Sequence, residues 1–143
     1  GDPLDSAWET MEFNAALKPE HAWCSLIQPY PGTTIQDLVM KEGMLPPGFD
    51  ADEFEQSYFM ATPVDIENKR EISNLQKLFP LGVRYPWLQP VIKEAIKLPP
   101  NRMYNTLFKA HYAYSIMRIN DMEVLDFLRI GFYTRNYFSQ TSF

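Results

Sequence analysis

The chain has 143 residues and a formal net charge of −5, with 45 % hydrophobic and 22 % charged residues. These proportions exclude wholesale disorder and fit one domain or one piece of a larger one. One cysteine and two histidines exclude a disulfide framework and a cysteine-only metal site and argue against a histidine-rich one, and the acidic balance argues against a free-standing nucleic-acid binder.

No apolar run approaches the roughly 18 residues of a membrane-spanning helix. The stretch GDPLDSAWETMEF is acidic and interrupted, unlike a secretory leader, so the expected location is the cytoplasm, free or peripheral to a membrane. Asp2 as N-cap and Pro3 as first helical residue predict a helix over about 4–17. Leu4, Ala7, Trp8, Met11 and Ala15 recur there at helical spacing, and Lys18-Pro19 stops it.

AWCSLIQ, residues 22–28, is short, apolar and bounded by Pro19 and Pro29, the pattern of a strand buried on both faces. Trp23, Ser25 and Ile27 then point one way, and Cys24, Leu26 and Gln28 the other. Pro29, Tyr30, Pro31 and Gly32 form a stiff turn. Thr33 or Thr34 caps a second helix running to about residue 42, with Thr34 and Asp37 as a capping box and Gly43 as its stop. Helix, strand, tight loop and helix make a piece of an alternating α/β architecture. One strand leaves two open edges, and 58–62 is the only other candidate. Its sheet neighbours are therefore expected outside this chain, and the isolated chain is expected to hide its edges by self-association.

Residues 44–57, acidic and with Pro46, Pro47 and Gly48, read as an ordered loop or crossover. Asp65 is expected to cap a helix over about 66–84 that turns Ile72, Leu75, Leu78 and Phe79 inward. Leu88, Val91, Ile92, Ala95 and Ile96 form a short amphipathic helix broken at Pro99-Pro100. A helix over about 101–118 follows, with Met103, Leu107, Phe108, His111 and Tyr114 on one side. Asn120 or Asp121 then starts a last helix carrying Val124, Leu125, Leu128 and Phe132.

Residues 1–67 hold 13 acids and 2 bases, a net −11, whereas 68–143 hold 5 acids and 11 bases, a net +6. Arg102, Lys109, Arg118, Arg129 and Arg135, interleaved with Tyr104, Tyr112, Tyr133 and Tyr137, could meet a membrane surface or an acidic partner; a solvated helix face is the plainer reading. His21 and Cys24 sit on opposite faces of an extended segment and cannot chelate together, so Cys24 reads as core. His111 reads as a hydrogen-bonded core or boundary histidine. Asp50, Asp52, Glu53 and Glu55 do not have calcium-loop spacing and read as a solvated acidic loop. Neither a nucleophile elbow, a P-loop nor a dinucleotide fingerprint is present. QPYPGT, Gln28 to Thr33, stands out: a βα loop puts backbone where α/β folds place ligands, and helix-start amides favour a polar or anionic group.

AWCSLIQPYPGTTIQDLVMKEGML, residues 22–45, resembles the sixth strand, loop and helix of radical S-adenosylmethionine (SAM) enzymes. It is most similar to those with an upstream cobalamin-binding domain, the group that includes the anaerobic magnesium-protoporphyrin IX monomethyl ester oxidative cyclase. Pro29, Tyr30, Pro31, Gly32 and Thr33 match a PYPGT-like turn, and Lys41, Glu42 and Gly43 a KEG-like helix end. The helix with Trp8-Glu9-Thr10, EISNLQKLF (71–79) and IKLPPNRMY (96–104) resemble neighbouring parts of that group.

The resemblance implies a mainly α chain in which 1–43 is the last βα unit of a partial (β/α) barrel and 44–143 a helical C-terminal extension. It implies a parent Fe–S oxidoreductase with a 4Fe-4S cluster, SAM and cobalamin, acting on a small molecule. The cluster's C-x3-C-x2-C triplet is absent, since Cys24 stands alone, so the chain by itself is not the catalyst. Its partners would be the upstream barrel and cobalamin domain. By the same resemblance Leu26, Ile27, Gln28 and Tyr30 form the SAM-facing wall, with no catalytic or metal-ligating residue. The alternative is a non-catalytic helical interaction module that docks a protein or a membrane surface.

Overall fold

The computed structural model describes residues 2–46, 48–49 and 62–133. Six α-helices appear among them: α1 Pro3–Leu17, α2 Thr34–Lys41, α3 Lys69–Arg84, α4 Gln89–Ala95, α5 Arg102–Ile119 and α6 Val124–Tyr133, with a 3-10 turn at Pro86–Leu88. The chain is mainly helical. No strand occurs among the described residues.

Helix α1 starts as the sequence predicts, with Asp2 Oδ1 accepting from the Leu4 N–H at 2.8 Å and Pro3 in the first turn. Lys18 ends it in the left-handed region, φ 51°, and returns its N–H to the Ala15 and Asn14 carbonyls. At α2 the capping box differs from expectation. Thr33 is the N-cap, accepting from the Gln36 N–H at 3.3 Å, and Gln36 Oε1 accepts from the Gly32 N–H at 2.9 Å. Gln36 rather than Asp37 occupies the third helical position, where a side chain reaches back over the helix start. The far end is a Schellman closure: Gly43 (φ 67°) donates to Met40 O at 3.1 Å and Met44 to Val39 O at 2.8 Å.

Helix α3 begins three residues later than expected. Asp65 does not cap it; Asn68, in the left-handed region at φ 57°, precedes it without a side-chain cap bond. The Asn68 amide donates instead to the Asp2 carboxylate at 3.2 and 3.3 Å, which ties the starts of α1 and α3 together. The last helix likewise starts at Val124, because Asp121 takes φ 49° and closes a turn after α5 rather than opening α6.

The core gathers on α3. Met11, Leu75, Leu78, Phe79, Val83, Ile92, Ile96 and Tyr104 form one buried cluster, so α1, α4 and α5 all bury apolar side chains against this helix. From Asn74 to Val83 only Leu81 is not fully buried. A helix enclosed on all sides normally carries few polar residues, yet Asn74, Gln76 and Lys77 are buried here. Asn74 donates to the Ile96 and Leu98 carbonyls, both at 2.8 Å, and so closes the end of α4. Burial holds the Lys77 ammonium below the usual lysine range. Gly82 lets α1 and α4 approach: a Cβ there would collide with the Met11 thioether.

Residues 22–28 correct the sequence reading. They form an extended segment without a ladder to any described residue. The alternation is as expected, but only one face is covered. Leu26 and Gln28 are buried and Cys24 partly so, whereas Trp23 and Ile27 are 44 % and 46 % exposed. The segment lies on α3 and is held by side chains in place of a neighbouring strand. Of the candidate partner 58–62, only Thr62 is described. No described helix is long and apolar enough to cross a membrane.

Candidate functional site

What fixes the extended segment is a two-way clamp between Cys24 and Gln76. Pro80 has no N–H, so the carbonyl of Gln76 four residues earlier loses its helical donor. The Cys24 thiol points at that carbonyl with Sγ 4.0 Å away, while Gln76 Nε2 donates to the Cys24 carbonyl at 3.1 Å. Burial pushes the Cys24 thiol up to about 12, which keeps it protonated and able to donate. Gln76 Oε1 is buried without a donor among the described residues. Three residues on, the Thr62 hydroxyl donates to the Ile27 carbonyl at 2.6 Å and accepts from the Val64 N–H at 3.2 Å.

The segment then enters the PYPG turn. Tyr30 N–H donates back to Gln28 O at 3.0 Å across Pro29, a tight three-residue turn. The Tyr30 carbonyl in turn accepts from the Thr33 N–H at 3.2 Å and the Thr33 hydroxyl at 2.6 Å. Gly32, at φ +76°, takes a backbone conformation that side chains disfavour. The turn delivers the chain into α2 with the Thr34 and Ile35 amides free of acceptors among the described residues.

Between the segment and α2 lies an open cleft of about 500 Å³ lined by Ser25, Leu26, Ile27, Gln28, Tyr30 and Ile35. Leu26, Ile27, Gln28 and Tyr30, the four residues singled out from the sequence, thus share one concavity. Leu26 and Gln28 are buried at its floor and Ile27 and Tyr30 are exposed at its rim. Ser25 and Ile35 join them; strand alternation puts Ser25 on the face opposite Leu26, and Ile35 enters the sequence reading only through its helix-start amide. The main chain of Ser25 and Leu26 makes no hydrogen bond among the described residues. The cleft therefore combines an apolar wall with unspent backbone donors and acceptors, which suits a flat, partly polar group.

The remaining candidates lie elsewhere. No group of three metal-ligating side chains occurs among the described residues, and His21 lies 3.9 Å from Glu20 Oε1. His111 is a boundary histidine, with Nδ1 3.4 Å from the Ser115 hydroxyl. Burial, then the nearby His21, hold it below the usual histidine range. Trp23 stacks on Tyr112 with ring centroids 5.1 Å apart, which seats the segment against α5 as well as α3. Tyr104 is not an interface residue: it is 2 % exposed and its hydroxyl donates to Ala95 O at 2.7 Å. Asp50, Asp52, Glu53, Glu55, Arg135 and Tyr137 lie outside the described residues, as does the Tyr133 side chain.

Sequence reading missed Gln76, Thr62 and Gln36. Pro80 was the available signal for Gln76, because a helix-interior proline always frees the carbonyl four residues before it. Neither a family model, a curated protein nor a solved structure matches the chain.

Proposed function

We propose that the chain is the C-terminal part of a radical SAM Fe–S enzyme with a cobalamin domain, contributing one wall of the SAM site and inactive alone. The cleft at the PYPGT turn carries this reading, because it gathers Leu26, Ile27, Gln28 and Tyr30 beside unspent backbone groups. Those residues fit part of a SAM site: an apolar surface for the purine and main-chain amides for its polar edge. They do not fit an iron–sulfur cluster. The only cysteine is partly buried and held as a thiol, so the cluster and the radical chemistry it supports are assigned to the upstream barrel. The open face of the extended segment and the exposed Ile35 and Leu38 of α2 are the surfaces that barrel would cover. A cytoplasmic location goes with this reading, as does a small-molecule substrate.

The test is made on the native-length enzyme. Gln28→Ala and Tyr30→Ala should each weaken SAM binding about tenfold, the loss of roughly 1.4 kcal/mol of contact, with iron content unchanged. Unchanged SAM affinity in both variants would overturn the assignment. The second reading, a helical interaction module, draws on the exposed apolar residues of α5, Met103 and Tyr114.

A further inference from the structure

Helices α1 and α5 both pack on α3 but make no substantial contact with each other. Their outward faces are opposite in charge. From Asp2 through Leu17 the chain holds four acids and no base, and α5 holds three bases and no acid. On α1 the exposed Asp5, Glu9 and Glu12 run beside Phe13 and Leu17, which are 65 % and 63 % exposed. On α5 Met103, Leu107, Ala110 and Tyr114 follow one another at spacings of four, three and four residues, the seam of a helix that packs against another. All four are exposed, and Arg102 and Arg118 stand at the two ends of the stripe.

We propose that the acidic face of α1 in one copy docks onto the basic, apolar-striped face of α5 in a second copy. Length supports the match: α1 has 15 residues and α5 has 18, about 22 and 27 Å. Like charge disfavours α1 on α1 and α5 on α5, so the contact joins two different surfaces. It then builds open chains of copies unless rotation closes a ring. A single helix-on-helix contact sits at the small end of specific interfaces, below roughly 1,200 Å². Association is therefore weak, concentration-dependent and sensitive to salt, since its charges lie at the surface. Edge pairing of residues 22–28 is the competing mode: it involves main chain, is indifferent to these charges and would survive their reversal.

Sedimentation velocity on the chain tests it, with circular dichroism to establish folding of each variant. The mass average should rise above 16.7 kDa with concentration at low salt, and the apparent Kd should weaken about tenfold or more between 0.05 and 0.5 M salt. Glu9→Lys/Glu12→Lys and Arg102→Glu/Arg118→Glu chains should each be monomeric alone. Mixed at equal ratio they should associate again, because each supplies the face that the other lost. That recovery separates lost charge from lost fold. A chain monomeric at every concentration, association that survives either charge reversal, or a mixture that stays monomeric would each overturn the proposal.

Discussion

Replacing Gly82 by alanine sets two terms of known sign against each other. Alanine is the better helix former by about 0.8–1.0 kcal/mol, so on an exposed helix the change would stabilise. Here the added Cβ falls inside contact with Met11 Sδ, 3.0 Å from Met11 Cε and 3.3 Å from Ile92 Cδ1. Met11 is 0 % exposed, so its thioether has no solvent to swing into, and overpacking of this kind costs about 1–3 kcal/mol. The net expectation is a loss of about 1 kcal/mol, roughly a 3 °C fall in Tm for a chain of this size. Met11→Ala alone should cost about 2–5 kcal/mol by opening a cavity. The double variant places the new methyl where the thioether was, so it should be less destabilised than the sum by about 1 kcal/mol or more. Urea denaturation followed by circular dichroism measures all four corners of the cycle. A Gly82→Ala chain more stable than the parent, or an additive cycle, would refute the close approach of α1 and α4 at this glycine.

The Cys24–Gln76 clamp predicts that Gln76→Ala costs about 1–3 kcal/mol, the penalty of leaving a carbonyl without its donor. The same variant should raise amide exchange across residues 23–28 more than in α1, read by mass spectrometry. Cys24 should resist alkylation at pH 8 until the chain unfolds. Because its folded value lies above the ordinary 9.0, its contribution to stability is complete below pH 9 and is lost between about 9 and 12; Cys24→Ala should flatten that alkaline fall in Tm. His111 has the opposite sign. Its folded value lies below 6.5, so the unfolded chain takes the proton first and stability falls as pH drops below 6.5. His111→Gln should flatten that acid limb, and an unchanged slope would show that the histidine is not held neutral by the fold.

Local chemistry made much of the fold readable in advance. The Asp2-Pro3 start of α1, the Thr33 cap, the Gly43 stop and the break at Pro99-Pro100 each depend on one or two neighbouring residues. The start of α3 was misplaced because Asn68 answers to Asp2, a partner 66 positions away. The extended segment was legible as alternation but not as environment. Apolar character at 22–28 cannot distinguish a strand between two others from a chain laid on a helix. What decides is Gln76 and Thr62 holding its carbonyls, and polar residues on distant elements leave no periodic trace. The cleft was legible in part: four of its six lining residues were implied by the resemblance at residues 22–45, whereas Ser25 and Ile35 required the path of the chain into α2.

The central claim is that this chain completes a larger iron–sulfur enzyme, and it is tested most directly on the native-length protein purified without oxygen. The account predicts a brown protein several times heavier than 16.7 kDa, with iron–sulfur absorbance and bound corrinoid. A colourless protein of about this chain's own mass, with neither iron nor corrinoid, would contradict it.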